Sequence, residues 1–314
     1  MTIFEQNPKL KHGIFLFSIT LCLFPFITAP LALLFGFIIT FLIGNPFEKA
    51  SQKLTKILLQ FSIVGLGFGM NLTDALQTGK DGFLFTIGSI TVTLIFGILL
   101  GKLFKIPQKT GFLISAGTAI CGGSAIAALT PILKAKESDI SVSLATVFIL
   151  NSIALFLFPF LGHLFGMSQS QFGMWCAIAI HDTSSVVGAA QRYGDTALHI
   201  ATTVKLQRAL WIIPLSLLTS FFFKNKDSRI AIPYFIFLFV LAMLWNSYFP
   251  SFHHFNETIV MIAKKGLVVT LFLIGAGLTR ESLKKAGLRP LAQGIILWTF
   301  ISVLSFIIIR TTLV

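Results

Sequence analysis

Charge is scarce in this chain. Only 11% of its 314 residues are Asp, Glu, Lys or Arg. A soluble protein of this length needs a polar shell, and so few charged residues cannot supply one. Cysteine is scarce as well. Cys22, Cys121 and Cys176 all lie in apolar stretches and none has CxxC spacing, which argues against a disulfide framework or a zinc site. The chain has no Walker-type phosphate loop and no HExxH pair, so neither nucleotide-driven pumping nor metalloprotease chemistry is expected, and no cofactor or metal is implied. No gap between apolar runs is long enough to hold a soluble domain. A net charge of +13 could suggest nucleic acid. There is, however, no lysine-rich tract and no aromatic RNA-binding motif, so no nucleic-acid partner is expected. The polar start, MTIFEQNPKLKHG, leads into an apolar run without a small-residue cleavage site. It reads as a short cytoplasmic segment, 1–12, before a first helix.

Apolar residues dominate. The chain is 55% hydrophobic, contains 34 Phe and has a mean hydropathy of +0.89. Apolar runs recur from end to end. The expected fold is an all-α polytopic membrane protein, with residues 1–314 forming a single transmembrane transporter domain in the lipid bilayer. Eleven spans are expected, at about 13–27, 30–44, 57–71, 83–101, 111–134, 140–162, 172–191, 199–223, 231–247, 258–278 and 291–309. Pro25 and Pro30 divide the first long run, which reads as two tilted helices or as one helix with a re-entrant piece.

The basic residues test this count. Gaps 1–12, 45–56, 102–110, 163–171, 224–230 and 279–290 together hold 15 Lys and Arg, and the alternate gaps hold 4. The positive-inside rule then places the N-terminus in the cytoplasm and gives an odd number of spans.

Four places break the apolar pattern. The fifth span carries Cys121-Gly122-Gly123-Ser124. The seventh carries His181-Asp182 followed by Thr183, Ser184 and Ser185. The eighth carries Lys205 and Arg208, and the sixth carries Asn151. A charged group at mid-membrane costs several kcal/mol unless it is paired or faces a cavity. Lys205 and Arg208 share a helix face. At ~1.5 Å per residue, Arg208 lies roughly 13 Å into its span, and the other breaks reach similar depth.

The fifth and seventh spans also align, Ala119–Ile126 with Ala179–Val186. Both read Ala-Ile, then a polar or glycine break, then small residues. Both are expected to be discontinuous helices broken near the midplane, with second halves starting near Ser124 and Ser184 whose amides would attract an anion. A second, weaker likeness joins 65–76 to 275–283. The two offsets differ, so no single tandem duplication explains both.

Structural readings stand beside these. The glycines could serve close helix packing. His181-Asp182 could be a structural pair or a proton-linked one. Lys205 and Arg208 could be neutralised by Asp182, although two cations against one carboxylate leave a surplus that an anion would balance. Asn151 reads as an interhelical hydrogen-bond residue, Cys121 as a small buried residue, and Lys264 and Lys265 as snorkelling side chains.

Over nearly its whole length the sequence resembles the YeiH-type membrane proteins, a bacterial family often labelled sulfate exporters. The resemblance rests on residues 117–149, 180–190, 204–215, 232–239 and 275–291. It implies a likeness to the wider group of cation–proton antiporters and bile-acid symporters, with two crossing broken helices. The family more often has Glu after the His; Asp182 keeps the acid one methylene shorter and changes its reach.

The expected function is a secondary transporter of a small anion: sulfate, or an organic sulfonate or carboxylate. Lys205 and Arg208 would pair with it, Gly122–Ser124 and Thr183–Ser185 would cradle it, and His181 and Asp182 would couple protons. The alternatives are a cation/proton antiporter with Asp182 as ion carrier, and a membrane sensor or interaction subunit. Enzyme activity is not expected. A homodimer is open, since architectures of this kind often dimerise.

Overall fold

In a computed structural model, the structure describes residues 8–24, 27, 29–223, 234–277 and 287–312. Pro25, all of the basic gap 224–230, most of the gap 279–290, and two thirds of the 275–283 likeness lie outside the described residues.

Fourteen α-helices are described: α1 (Pro8–Leu21), α2 (Ala29–Ile43), α3 (Glu48–Gly67), α4 (Leu72–Leu103), α5 (Gln108–Ala119), α6 (Gly123–Leu133), α7 (Glu137–Leu164), α8 (Gln169–Ala179), α9 (Thr183–Tyr193), α10 (Asp195–Leu210), α11 (Ile212–Phe222), α12 (Tyr234–Tyr248), α13 (His253–Gly277) and α14 (Leu288–Thr312). No strand occurs among the described residues. In hydrocarbon only helices can satisfy every backbone group within one segment. Four stretches are each long and apolar enough to cross a membrane alone: Phe83–Leu103, Ser138–Leu164, His253–Gly277 and Leu288–Thr312.

Six of the other helices are short because three spans are divided. The fifth expected span is α5 plus α6, and the seventh is α8 plus α9. The eighth is also divided, at Trp211 between α10 and α11. That third division was not expected, although its cause is in the sequence. Pro214 has no N–H and its ring crowds the carbonyl four residues back, at Leu210.

The chain forms two compact units. Unit 1 comprises residues 1–74 and 234–281. Here α13 packs along α2 and α3, and α3 packs along α12. The α2–α13 approach depends on glycine. A Cβ on Gly36 would fall 2.0 Å from the Phe272 carbonyl oxygen, and one on Gly275 would fall 2.0 Å from that of Leu33. This is small-residue packing, by which membrane helices gain dispersion contact without a hydrophobic driving force. Phe15, Val268, Phe272 and Ala276 form the apolar core beside it. At the end of α3, Asn246 donates to the Met70 carbonyl (3.2 Å) and Ser247 accepts from the Leu72 N–H (2.9 Å). Lys265 donates to the Phe24 carbonyl (3.1 Å).

Unit 2 comprises residues 75–233 and 282–314. It holds every interruption singled out above. α8 packs on α10 and α14, while α5 packs on α7 and α14. Gln293 on α14 is fully buried, and its amide donates to the carbonyls of Gly97 (2.8 Å) and Gly111 (3.0 Å), pinning α4 and α5 to α14. Trp175 on α8 donates to the Ser302 carbonyl at 2.9 Å.

Gly36→Ala should destabilise the protein by about 1–3 kcal/mol through overpacking. Gly88 is also helical, and its added Cβ would meet nothing within 4 Å. Gly88→Ala should therefore be neutral or stabilising, by up to about 1 kcal/mol. Thermal unfolding midpoints of the purified protein in detergent test the contrast; equal midpoints would refute the packing account.

Candidate functional site

The first break follows from one glycine. Gly122 has φ 63° and ψ −122°, a conformation that side-chain-bearing residues rarely adopt. α5 therefore ends at Ala119 and residues 120–122 cross to the start of α6, with the Gly122 N–H reaching back to the Gly117 carbonyl at 2.8 Å. The second break follows from an aspartate. Asp182 is extended, at φ −102° and ψ 158°, and caps α9 with its side chain. Its Oδ1 accepts from the Ser185 N–H at 2.6 Å and from the Ser184 hydroxyl at 2.9 Å, and its Oδ2 accepts from the Ser185 hydroxyl at 3.3 Å. Such caps contribute about 1 kcal/mol.

The two breaks touch. A Cβ on Gly122 would lie 3.1 Å from the Asp182 Cβ and 3.2 Å from Val147 Cγ1. Asn151 on α7 reaches the same place. Its Nδ2 donates to Asp182 Oδ2 at 2.9 Å and its Oδ1 accepts from the His181 N–H at 3.1 Å. Asn151 thus holds both residues of the second break, as an interhelical hydrogen-bond residue does.

Each break leaves carbonyls without helical partners, and two basic side chains take them. Lys205 donates to the Ile180 carbonyl at 2.7 Å and the Ala177 carbonyl at 3.3 Å, at the end of α8. Arg208 donates to the Ala119 carbonyl at the end of α5, and to the Ser89 hydroxyl on α4 at 2.7 Å. Both lie on α10, three residues apart. A cation at a helix C-terminus meets the negative end of the dipole. A buried carbonyl without a partner would cost about 1–3 kcal/mol.

This differs from the pairing with an anion that the sequence suggested. Lys205 and Arg208 are both 0% exposed, and the donors just described are spent on the protein. Among the described residues neither forms an ion pair with Asp182. Ser184 and Ser185 likewise serve Asp182, so a carboxylate of the protein itself sits at the α9 N-terminus. At the α6 N-terminus Gly122 has no side chain to serve as a cap, and the uncharged Cys121 thiol bonds the Ala125 N–H and the Ser124 side chain. Its first residues are reachable: Gly123 is half-buried and Ser124 exposed, next to half-buried Asp182 and Thr183. Cys121 is buried.

His181 is fully buried, and neither ring nitrogen has a partner among the described residues. Its ring is therefore not hydrogen-bonded to Asp182, the arrangement expected of a proton-linked pair. Arg208 Nε also lacks a partner. Sequence reasoning missed Ser89. The signal was present, since Thr86, Ser89 and Thr93 form a buried polar stripe at helical spacing inside an apolar span.

Gly122→Ala should cost about 1–3 kcal/mol, because it forces a side-chain residue into a strained conformation at a close contact. Gly123→Ala places its Cβ 3.3 Å from the tip of the Phe148 ring, which can give way, and should cost less than half as much. Comparing the thermal unfolding of the two variants checks this. A cheaper Gly122 variant would contradict the glycine-based break.

Comparison with known proteins agrees with the membrane class. Residues 13–294 match the family model described as "Conserved hypothetical protein 698". The chain is 54% identical over 278 residues to a "UPF0324 membrane protein" of Bacteroides thetaiotaomicron, covering 88% of this chain and 84% of the relative. It is 50% identical over 302 residues to one of Photobacterium profundum, covering 96% and 93%. It is 48% identical over 305 residues to one of Geobacter sulfurreducens, covering 97% and 98%. No solved structure matches significantly. With about half of its residues shared with nearly full-length relatives named as membrane proteins and a family model matched over residues 13–294, the chain belongs to the Conserved hypothetical protein 698 family, the UPF0324 membrane proteins.

Proposed function

We propose that this membrane protein is a secondary transporter of a small anion, such as sulfate or an organic sulfonate or carboxylate. The observation that carries the reading is the contrast between the two half-helix N-termini that meet at the breaks. α9 is capped by the Asp182 carboxylate, whereas α6 follows Gly122, which has no side chain, and has only the uncharged Cys121 thiol bonded to Ala125 and Ser124 in its first turn, with Gly123 and Ser124 reachable. Amides at such a terminus attract an anion through N–H donors and the helix dipole. Behind them, Lys205 and Arg208 outnumber the one nearby carboxylate. They favour the anion through their field and through the helix ends they hold, not by contact. Ser124 supplies a hydroxyl. Gly123 lets the substrate approach the backbone, and Thr183 faces the crossing from α9.

Transport proceeds by alternating access around the crossing, with the midplane site expected of discontinuous helices. Proton coupling resides in Asp182, with His181 next to it in the break. The basic gaps place the N-terminus inside, and the protein works in the bacterial inner membrane.

One observation favours a second reading. Asp182 is half-buried, so its carboxylate could carry a cation or proton directly, as in a cation/proton antiporter. Lys205 would then neutralise the empty site.

Sulfate counterflow in proteoliposomes, with and without a pH gradient, tests both readings. Ser124→Asp puts a carboxylate in the first turn of α6, where the dipole favours it by about 0.3–1 kcal/mol, so the fold should hold. Anion exchange should fall at least tenfold as this fixed charge competes with substrate. Unchanged exchange would sink the anion site at α6.

Asp182→Asn keeps an efficient cap. Under the anion reading it retains exchange and loses the response to the pH gradient. Under the antiporter reading it abolishes all flux.

A further inference from the structure

A second feature of unit 2 lies away from the breaks. A cavity of about 590 Å³ opens between the end of α4, the start of α5 and α11. Its walls are apolar, formed chiefly by Phe112, Leu215, Leu218 and Phe223. The rings of Phe112 and Phe223 stand 6.1 Å apart. Gly101 and Gly111 also line it, where α4 and α5 come so close that a Cβ on Gly111 would lie 3.5 Å from the Gly101 Cα. With no side chains there, the cavity extends to the backbone.

One charged residue lines this apolar space. Lys102, in the last turn of α4, is exposed, as is Lys105 three residues on. Neither side chain has a hydrogen bond or ion pair among the described residues. Both belong to the gap 102–110, which carries three lysines and no acid. The outer surface of α11 next to the cavity is strongly apolar: Leu217, Leu218, Phe221 and Phe222 are 55, 56, 80 and 74% exposed. In a membrane protein that surface faces hydrocarbon.

We infer that this cavity is a binding site for an anionic phospholipid, with an acyl chain against Phe112, Leu215, Leu218 and Phe223 and the phosphate at Lys102 and Lys105. Three observations select this occupant. The apolar walls adjoin a lipid-facing surface, so the ligand enters from the bilayer. Two cations at one end, neither bonded among the described residues, match a negative headgroup. The lysines also lie where a spanning helix ends, the level at which phosphates sit. Basic pockets between helices on the cytoplasmic side bind anionic headgroups in this way, each Lys near the surface contributing on the order of 1 kcal/mol. The inference does not depend on transport or on the substrate.

The test uses the full-length protein, delipidated in detergent. Native mass spectrometry would compare retention of phosphatidylglycerol with phosphatidylcholine of the same chains, and of glycerol 3-phosphate as a headgroup without chains. Phosphatidylglycerol should bind at least tenfold more tightly than either. Lys102→Gln with Lys105→Gln should erase most of that preference, a loss of roughly tenfold to thirtyfold. The paired control Lys53→Gln with Lys56→Gln removes two other exposed lysines and should not.

Leu218→Trp fills the cavity from an exposed position. It should weaken phosphatidylglycerol binding while the unfolding midpoint without lipid stays unchanged. Equal retention of the two lipids would mean ordinary bilayer solvation and overturn the proposal. So would glycerol 3-phosphate binding as tightly as the lipid, or wild-type lipid binding in both the Lys102/Lys105 and Leu218 variants.

Discussion

A membrane gives a broken helix nothing with which to satisfy its free carbonyls. That constraint organises unit 2. Two half-helices, α5 and α8, end inside the protein, and each presents an unpaired end that would cost about 1–3 kcal/mol per carbonyl in an apolar interior. Arg208 takes the end of α5 and Lys205 takes the end of α8. Burying the cations would itself be prohibitive without partners. The carbonyls and the cations are thus each tolerable only because of the other. Neither the breaks nor the basic residues can be explained alone.

The same reasoning separates the two helices that follow the breaks. α9 begins with a residue that supplies its own cap, and Asp182 is held further by Asn151 from α7. α6 begins with glycine, which opens the backbone and contributes no side chain. One half-helix start thereby holds a carboxylate, and the other holds only the uncharged Cys121 thiol. Asp182 would crowd any larger residue at Gly122, so the glycine serves both conformation and contact. The asymmetry arises from two residues at matching positions of the aligned segments, Gly122 and Asp182.

Much of this was legible in the sequence. Apolar runs gave the helical membrane class, and glycine or a cap-forming aspartate inside an apolar run marked both breaks. Asn151 read as a cross-helix hydrogen-bond residue, the role its two bonds serve. The targets of Lys205 and Arg208 were not legible, because carbonyls belong to every residue and leave no mark in sequence. Charge counting sought a negative side chain or ligand as partner, whereas the partners are backbone ends created by the breaks themselves. The division at Trp211 was legible through Pro214 but was obscured by the unbroken hydropathy on either side. The close α2–α13 approach was hidden too, since Gly36 and Gly275 are far apart in sequence and ordinary in composition.

Placing both caps on one helix has a mechanical consequence. Lys205 and Arg208 are three residues apart, about 4.5 Å along α10. They therefore fix the ends of α8 and α5 to a common support with a set offset. Sliding or rotating α10 cannot release one end and leave the other undisturbed. α10 itself stops two residues after Arg208, at Trp211, where Pro214 leaves the Leu210 carbonyl without a helical N–H. A separate short helix that holds two half-helix ends has the form of a shared lever. Because packed interiors rearrange between discrete states instead of deforming smoothly, the two breaks are coupled by construction. A shift of α10 therefore bears on the ends of α5 and α8 together, through the bonds that Arg208 and Lys205 make to them.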